Sequence, residues 1–103
     1  MRIRELVART PGVREQRMFG GLAFLVGGHM AITASRLGGA MVRVDPAASD
    51  ALVSRTKARL VVMHGRPMPG WLRIDAEDLR TKRRLARWVG LGTAYARSLP
   101  AKR

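Results

Sequence analysis

The side chains able to do chemistry are few and scattered. Histidine occurs only at His29 and His64. A metal site would need both, together with carboxylates from Asp45, Asp50 or Asp75, and no ligand spacing joins them. Ser35, Ser49, Ser54 and Ser98 lack the turn that exposes a nucleophilic serine, and no Ser-His-Asp set can be named. The sequence holds no cysteine, which removes thiolate metal sites, cysteine nucleophiles and disulfides. Gly20-Gly21 and Gly27-Gly28 do not cradle a phosphate, because neither pair opens a helix after a strand. The sequence therefore assigns no catalytic residue, no metal ligand and no cofactor, and the chain reads as non-enzymatic.

Charge is the strongest compositional signal. Twenty Lys and Arg stand against seven Asp and Glu, a formal net charge of +13. Such a field concentrates polyanions near the surface. Arg80, Arg83, Arg84 and Arg87 follow an i, i+3, i+4, i+7 pattern and fall on one helical face. That stripe could meet nucleic-acid phosphates, with Trp88 or Tyr95 stacking on a base. A solvated helix face has the same pattern. No base-reading motif is present, so contact of this kind would be non-specific.

The elements that must position these groups read as one α+β domain spanning residues 1–103, with 97–103 a frayed tail. Arg2 to Arg9 makes two helical turns carrying Ile3, Leu6 and Val7, stopped by Thr10-Pro11-Gly12. Four antiparallel strands follow. Val13 to Phe19 is an edge strand, Gly20-Gly21 a bulge or turn, and Leu22 to Val26 a second strand. Phe19, Phe24 and Val26 supply core bulk. Gly27-Gly28 turns into His29 to Ser35, with Met30, Ile32 and Ala34 on one face. Leu37-Gly38-Gly39 turns into the fourth strand, which ends Val42-Arg43-Val44-Asp45. Pro46 to Arg55 is a short helix with Ala48, Ala51 and Leu52 inward. Ala58 to Met63 is a strand, His64 to Gly70 a connection, and Trp71 to Asp75 the last strand. Asp45 and Asp75 each stand where a helix N-cap is wanted. Glu77 to about Arg97 is the longest helix, burying Leu79, Leu85, Ala86, Val89 and Ala96. Gly90 and Gly92 would weaken and bend it.

With the helices on one side of the sheet, alternation sends Ala23, Leu25, Met41, Arg43, Val61, Met63, Trp71 and Arg73 to the other. Such a face is too apolar to stay wet, and Leu25, Met41, Arg43, Met63, Trp71 and Arg73 form a candidate interaction surface. The expected partner is a second copy, giving a homodimer, or another regulatory protein.

Several of these segments also carry a resemblance. Arg17-Met18-Phe19-Gly20-Gly21, the hairpin after it, Val42-Arg43-Val44-Asp45, Gly65-Arg66-Pro67-Met68 and Ala94-Tyr95-Ala96-Arg97-Ser98-Leu99-Pro100 come in the order seen in the TfoX N-terminal domain family. The chain resembles this family from about Leu6 to Leu99. The resemblance implies a two-layer, secretion-chaperone-like fold in the order α-β4-α-β2-α, with helices on one face of an antiparallel sheet. It also implies a regulatory role akin to the front domain of the TfoX/Sxy competence regulators. Two departures accompany it: the opening helix is shorter, and the helical C-terminal domain tied to nucleic acid in those regulators is missing. Competence regulation itself is therefore not carried over. No stretch approaches the roughly 20 apolar residues of a membrane span, and the opening residues lack a signal peptide's apolar centre. The expected location is the cytoplasm.

Overall fold

The computed structural model describes residues 2–8, 10–18, 20–35 and 38–100. Arg9, Phe19, Leu37 and the tail residues 101–103, all given roles from sequence, lie outside these. Among the described residues the fold is α+β: a six-stranded antiparallel sheet and three α-helices. Helix α1 is Arg2–Val7, and strands β1 to β4 are Val13–Met18, Gly21–Val26, His29–Ser35 and Ala40–Arg43. Helix α2 is Ser49–Arg55, strands β5 and β6 are Arg59–Met63 and Arg66–Ile74, and α3 is Lys82–Ser98. The sheet order is β1-β2-β3-β4-β6-β5.

One sheet face is built for burial. Phe24 pairs with Ile32, Ile32 with Val42, Val42 with Leu72, and Leu72 with Leu60. The first four of these side chains have no exposed surface. They pack with Leu85, Trp88 and Val89 of α3 and with Ile3 and Val7 of α1. Burying branched and aromatic side chains on one face in this way is what stabilises a two-layer domain, at about 1.5–3 kcal/mol for each large side chain.

Two bulges change which residues face outward. Phe24 pairs with Ile32 but Leu25 pairs with Met30, leaving Ala31 as an extra residue. Side-chain direction reverses across such an insertion. Met30 therefore does not share a face with Ile32 and Ala34, as unbroken alternation predicts. The second bulge falls where the sequence suggested a connection. Only His64-Gly65 turns, and β6 already runs from Arg66. Its prolines are tolerated because β4 pairs only with Trp71 to Ile74, so the stretch before them has β5 alone as neighbour. Gly70 (φ +87°) makes the bulge: its carbonyl accepts from Val44 N at 2.8 Å and its amide donates to Ser49 Oγ at 2.6 Å. Ser49, not Ala51, is the buried residue at the start of α2.

The long C-terminal helix also differs from expectation. Ala76–Leu79 forms a 3-10 turn, and α3 begins only at Lys82, capped by Thr81 Oγ1, which accepts from Arg84 N at 3.1 Å. α3 runs unbroken through Gly90 and Gly92, and Gly92 lets the helix sit on β3. A Cβ there would lie 2.4 Å from the Ala31 carbonyl oxygen. Asp45 does cap, its Oδ1 accepting from Ala47 N at 2.9 Å. Asp75 makes no such bond and instead pairs with Arg59 Nη2 at 2.6 Å. Arg97 and Ser98, assigned to a frayed tail, are helical.

Candidate functional site

The face of the sheet away from α3 carries a concentration of methionine. Met18, Met30, Met41, Val61, Met63, Met68 and Trp71 line one cavity of about 240 Å³. The sequence has six methionines, the first at the N-terminus; all the other five converge here. They come from five of the six strands. Met18 comes from β1, Met30 from β3, Met41 from β4, Met63 from β5, and Met68 with Trp71 from β6. The two bulges bring Met30 and Met68 to this side. Val61 is buried beneath them, and Met63 is 43 % exposed. Thioether side chains are unbranched and polarizable, so such a surface adapts to varied apolar partners.

Arginines surround the cavity. In register, Arg73 stands opposite Met41 and Arg59, Arg43 opposite Trp71, Arg66 opposite Met63, and Arg14 opposite Leu25. Strand positions on this face hold no carboxylate; Glu15, the one acid within a strand, pairs in register with Phe24 on the helix side and binds Arg4 of α1. The guanidinium of Arg43 lies 5.2 Å from the Trp71 ring centroid and 5.6 Å from that of Tyr95, which fixes the Trp71 end of the cavity.

Of the residues expected on this surface, Met41, Met63 and Trp71 line the cavity, while Arg43 and Arg73 flank it. Leu25 lies on the same face, beside Met30 in register, without lining the cavity. Sequence alternation missed Met18, Met30 and Met68. The available signal was the position of every internal methionine in or beside a strand.

The arginine stripe is divided. Arg80 precedes α3, whereas Arg83, Arg84 and Arg87 are exposed along it. Arg84 and Arg87 meet Arg55, Thr56 and Lys57 from the end of α2 around a shallow notch of about 230 Å³, with Asp78 at its margin. Trp88 is only 4 % exposed and belongs to the core, so it cannot stack on a base. Tyr95 is half-buried against Arg43 and is not among the notch residues.

The two histidines lie apart, and one ties chain segments together. His29 Nε2 lies 2.6 Å from the Pro100 carbonyl oxygen, holding the chain after α3 against the start of β3. His64 sits exposed in the β5–β6 turn. Among the described residues, no three His, Cys, Asp or Glu side chains gather as a metal site. A surface depression of about 870 Å³ runs past Arg4, Glu15 and Gln16, where Arg4 and Glu15 already satisfy each other.

Compared with known protein families, residues 5–96 match the family model of the TfoX N-terminal domain. The chain belongs to that family. Comparisons with curated proteins and with solved structures gave no match. The TfoX N-terminal domain is not a known enzyme family. No helix among the described residues is long and apolar enough to cross a membrane. In this member of the TfoX N-terminal domain family, the Gly-Arg-Pro-Met segment, Gly65 to Met68, supplies both a cavity methionine and a flanking arginine.

Proposed function

We propose that this TfoX N-terminal domain is a non-enzymatic, cytoplasmic protein-docking module of regulatory character, working through the uncovered face of its sheet. One observation carries the reading: five methionines and Trp71 from five strands line a single apolar cavity on that face. An exposed apolar surface in a chain otherwise rich in charge marks a contact surface. The occupant is a protein surface, offered either by a second copy or by a different chain. The regulatory character is supported by family membership alone.

A photo-crosslinking residue in place of Met63, with one in place of Arg83 as control, tests this in cells. Protein adducts concentrated at 63 support the docking face. Adducts only at 83, or none at either position, would overturn it.

A second reading is favoured by the notch, which joins cations from α2 and α3: non-specific nucleic-acid binding through the helix side. About four phosphate contacts would give a slope near −3 to −4 in log affinity against log salt. Replacing Arg83, Arg84 and Arg87 with Gln should flatten that slope in an anisotropy titration with duplex and single-stranded oligonucleotides. Affinity unmoved by the triple change would exclude the notch.

A further inference from the structure

Resting on the reading of the uncovered face as a docking surface, we propose that its occupant is an acidic amphipathic segment of another protein. Long apolar side chains of that segment enter the methionine cavity, and its carboxylates meet the surrounding arginines.

The size of the cavity limits what can enter. About 240 Å³ falls below the roughly 300–1,000 Å³ of pockets that hold drug-sized ligands, so it suits side-chain anchors better than a whole small molecule. Five thioethers accept branched, linear or aromatic anchors with similar ease, because each can change rotamer at little cost. The lining therefore selects apolar side chains as a class rather than one shape.

Charge selects the rest of the partner. Arg14, Arg43, Arg59, Arg66 and Arg73 occupy this face, and among the described residues only Arg59 has a carboxylate partner, Asp75 at 2.6 Å. No strand position on the face offers a carboxylate in return. Two copies meeting through this face would oppose the same four uncompensated arginines, each copy bringing a net +13, and like charges brought together across an interface are costly. An acidic segment removes that cost and gains from the same field. A polyanion without apolar side chains would leave the cavity unfilled.

The test uses labelled 18-residue peptides in fluorescence anisotropy. One carries Leu, Met and Trp on one helical face and Glu elsewhere; a second has Lys in place of Glu; a third is polyglutamate. The glutamate peptide should bind at least tenfold more tightly than either control. Met63→Gln and Arg73→Glu should each weaken it at least fivefold with the far-UV dichroism unchanged, and Arg83→Gln should not. Equal binding by the lysine peptide or polyglutamate would overturn the proposal, as would an Arg83→Gln effect matching that of Met63→Gln. If no peptide binds and the chain forms a dimer that Met63→Gln dissociates, the acidic partner is refuted while the docking face stands. If no peptide binds, the chain is monomeric and position 63 gives no adducts, both fall together.

Discussion

The two faces of the sheet are made from the same strands by different side-chain chemistry. Under α3 lie Phe24, Ile32, Val42, Leu72 and Ile74, all at most 1 % exposed. Four of these five are β-branched or aromatic, with few rotamers to choose among. The opposite face uses Met18, Met30, Met41, Met63 and Met68 around Trp71. Short, stiff side chains suit a surface whose partners are always the same helices. Unbranched thioethers suit one whose partner comes and goes, since they repack without strain. The contrast separates a surface selected for one packing from a surface able to accept several.

The contrast breaks if the methionine face proves to be core. Phe24→Ala should cost about 3–5 kcal/mol, as for other fully buried aromatics, read from the urea midpoint at constant m-value. Met63→Ala and Met68→Ala should each stay within about 1 kcal/mol. Equal losses on both faces would mean that the chain packs its methionines as rigidly as its helix-side core.

The seam between α3 and the covered face gives the next largest effect, and its sign reverses over two residues. A Cβ on Gly92 would meet the Ala31 carbonyl carbon at 3.1 Å and its oxygen at 2.4 Å, whereas one on Gly90 would meet nothing within 4 Å. Gly92→Ala should therefore destabilise by about 1–3 kcal/mol through overpacking. Gly90→Ala should stabilise by up to about 1 kcal/mol through helix propensity. Thermal melts of the two variants side by side decide this. A stabilising Gly92→Ala would show that α3 does not rest on β3.

The bulge that turns Met68 outward depends on Ser49, so Ser49→Ala links the two faces. It strands the buried Gly70 amide, which donates to Ser49 Oγ, and should cost about 1–3 kcal/mol. It should also loosen binding at the methionine cavity, because β6 leaves its register there. Stability lost with binding intact would separate the bulge from the site.

These bulges also explain what was legible in the sequence. The strand order from β1 to β4, the edge position of β1 and the inward side chains Phe24, Ile32, Val42 and Leu85 follow from alternation and helical period. Period alone cannot register an inserted residue. Ala31 is small and apolar, so the run from His29 to Ser35 looks unbroken although the pairing shifts within it. Pro67 and Pro69 suggested a loop because a proline disfavours a paired strand; only the sheet order shows that β4 stops short of them. The cavity is a consequence of register across five strands, and no local pattern contains that information. The α2–α3 notch is hidden for the same reason, since Arg55 and Lys57 are distant from Arg84 in sequence.

The smallest expected effect lies where the helix side reaches the β1 edge. Arg4 Nη2 donates to Glu15 Oε2 at 3.0 Å, and Arg4 Nε donates to Oε1. That hydrogen bond holds the Glu15 carboxyl below its ordinary value against the opposing effect of desolvation, with the charge of Arg4 adding a lesser lowering. Because the folded value is depressed, the contribution is present above the unfolded carboxyl value of about 4.3 and is lost as pH falls through the folded value. Both partners are exposed to solvent, and salt screens such pairs. Glu15→Gln should lower the melting temperature slightly at pH 7 in low salt, and the difference should shrink as pH falls below about 4.3 or in 0.5 M salt. A difference that persists in 0.5 M salt would mean that the paired hydrogen bonds from Arg4 to the carboxylate, rather than its screened charge, tie α1 to the β1 edge.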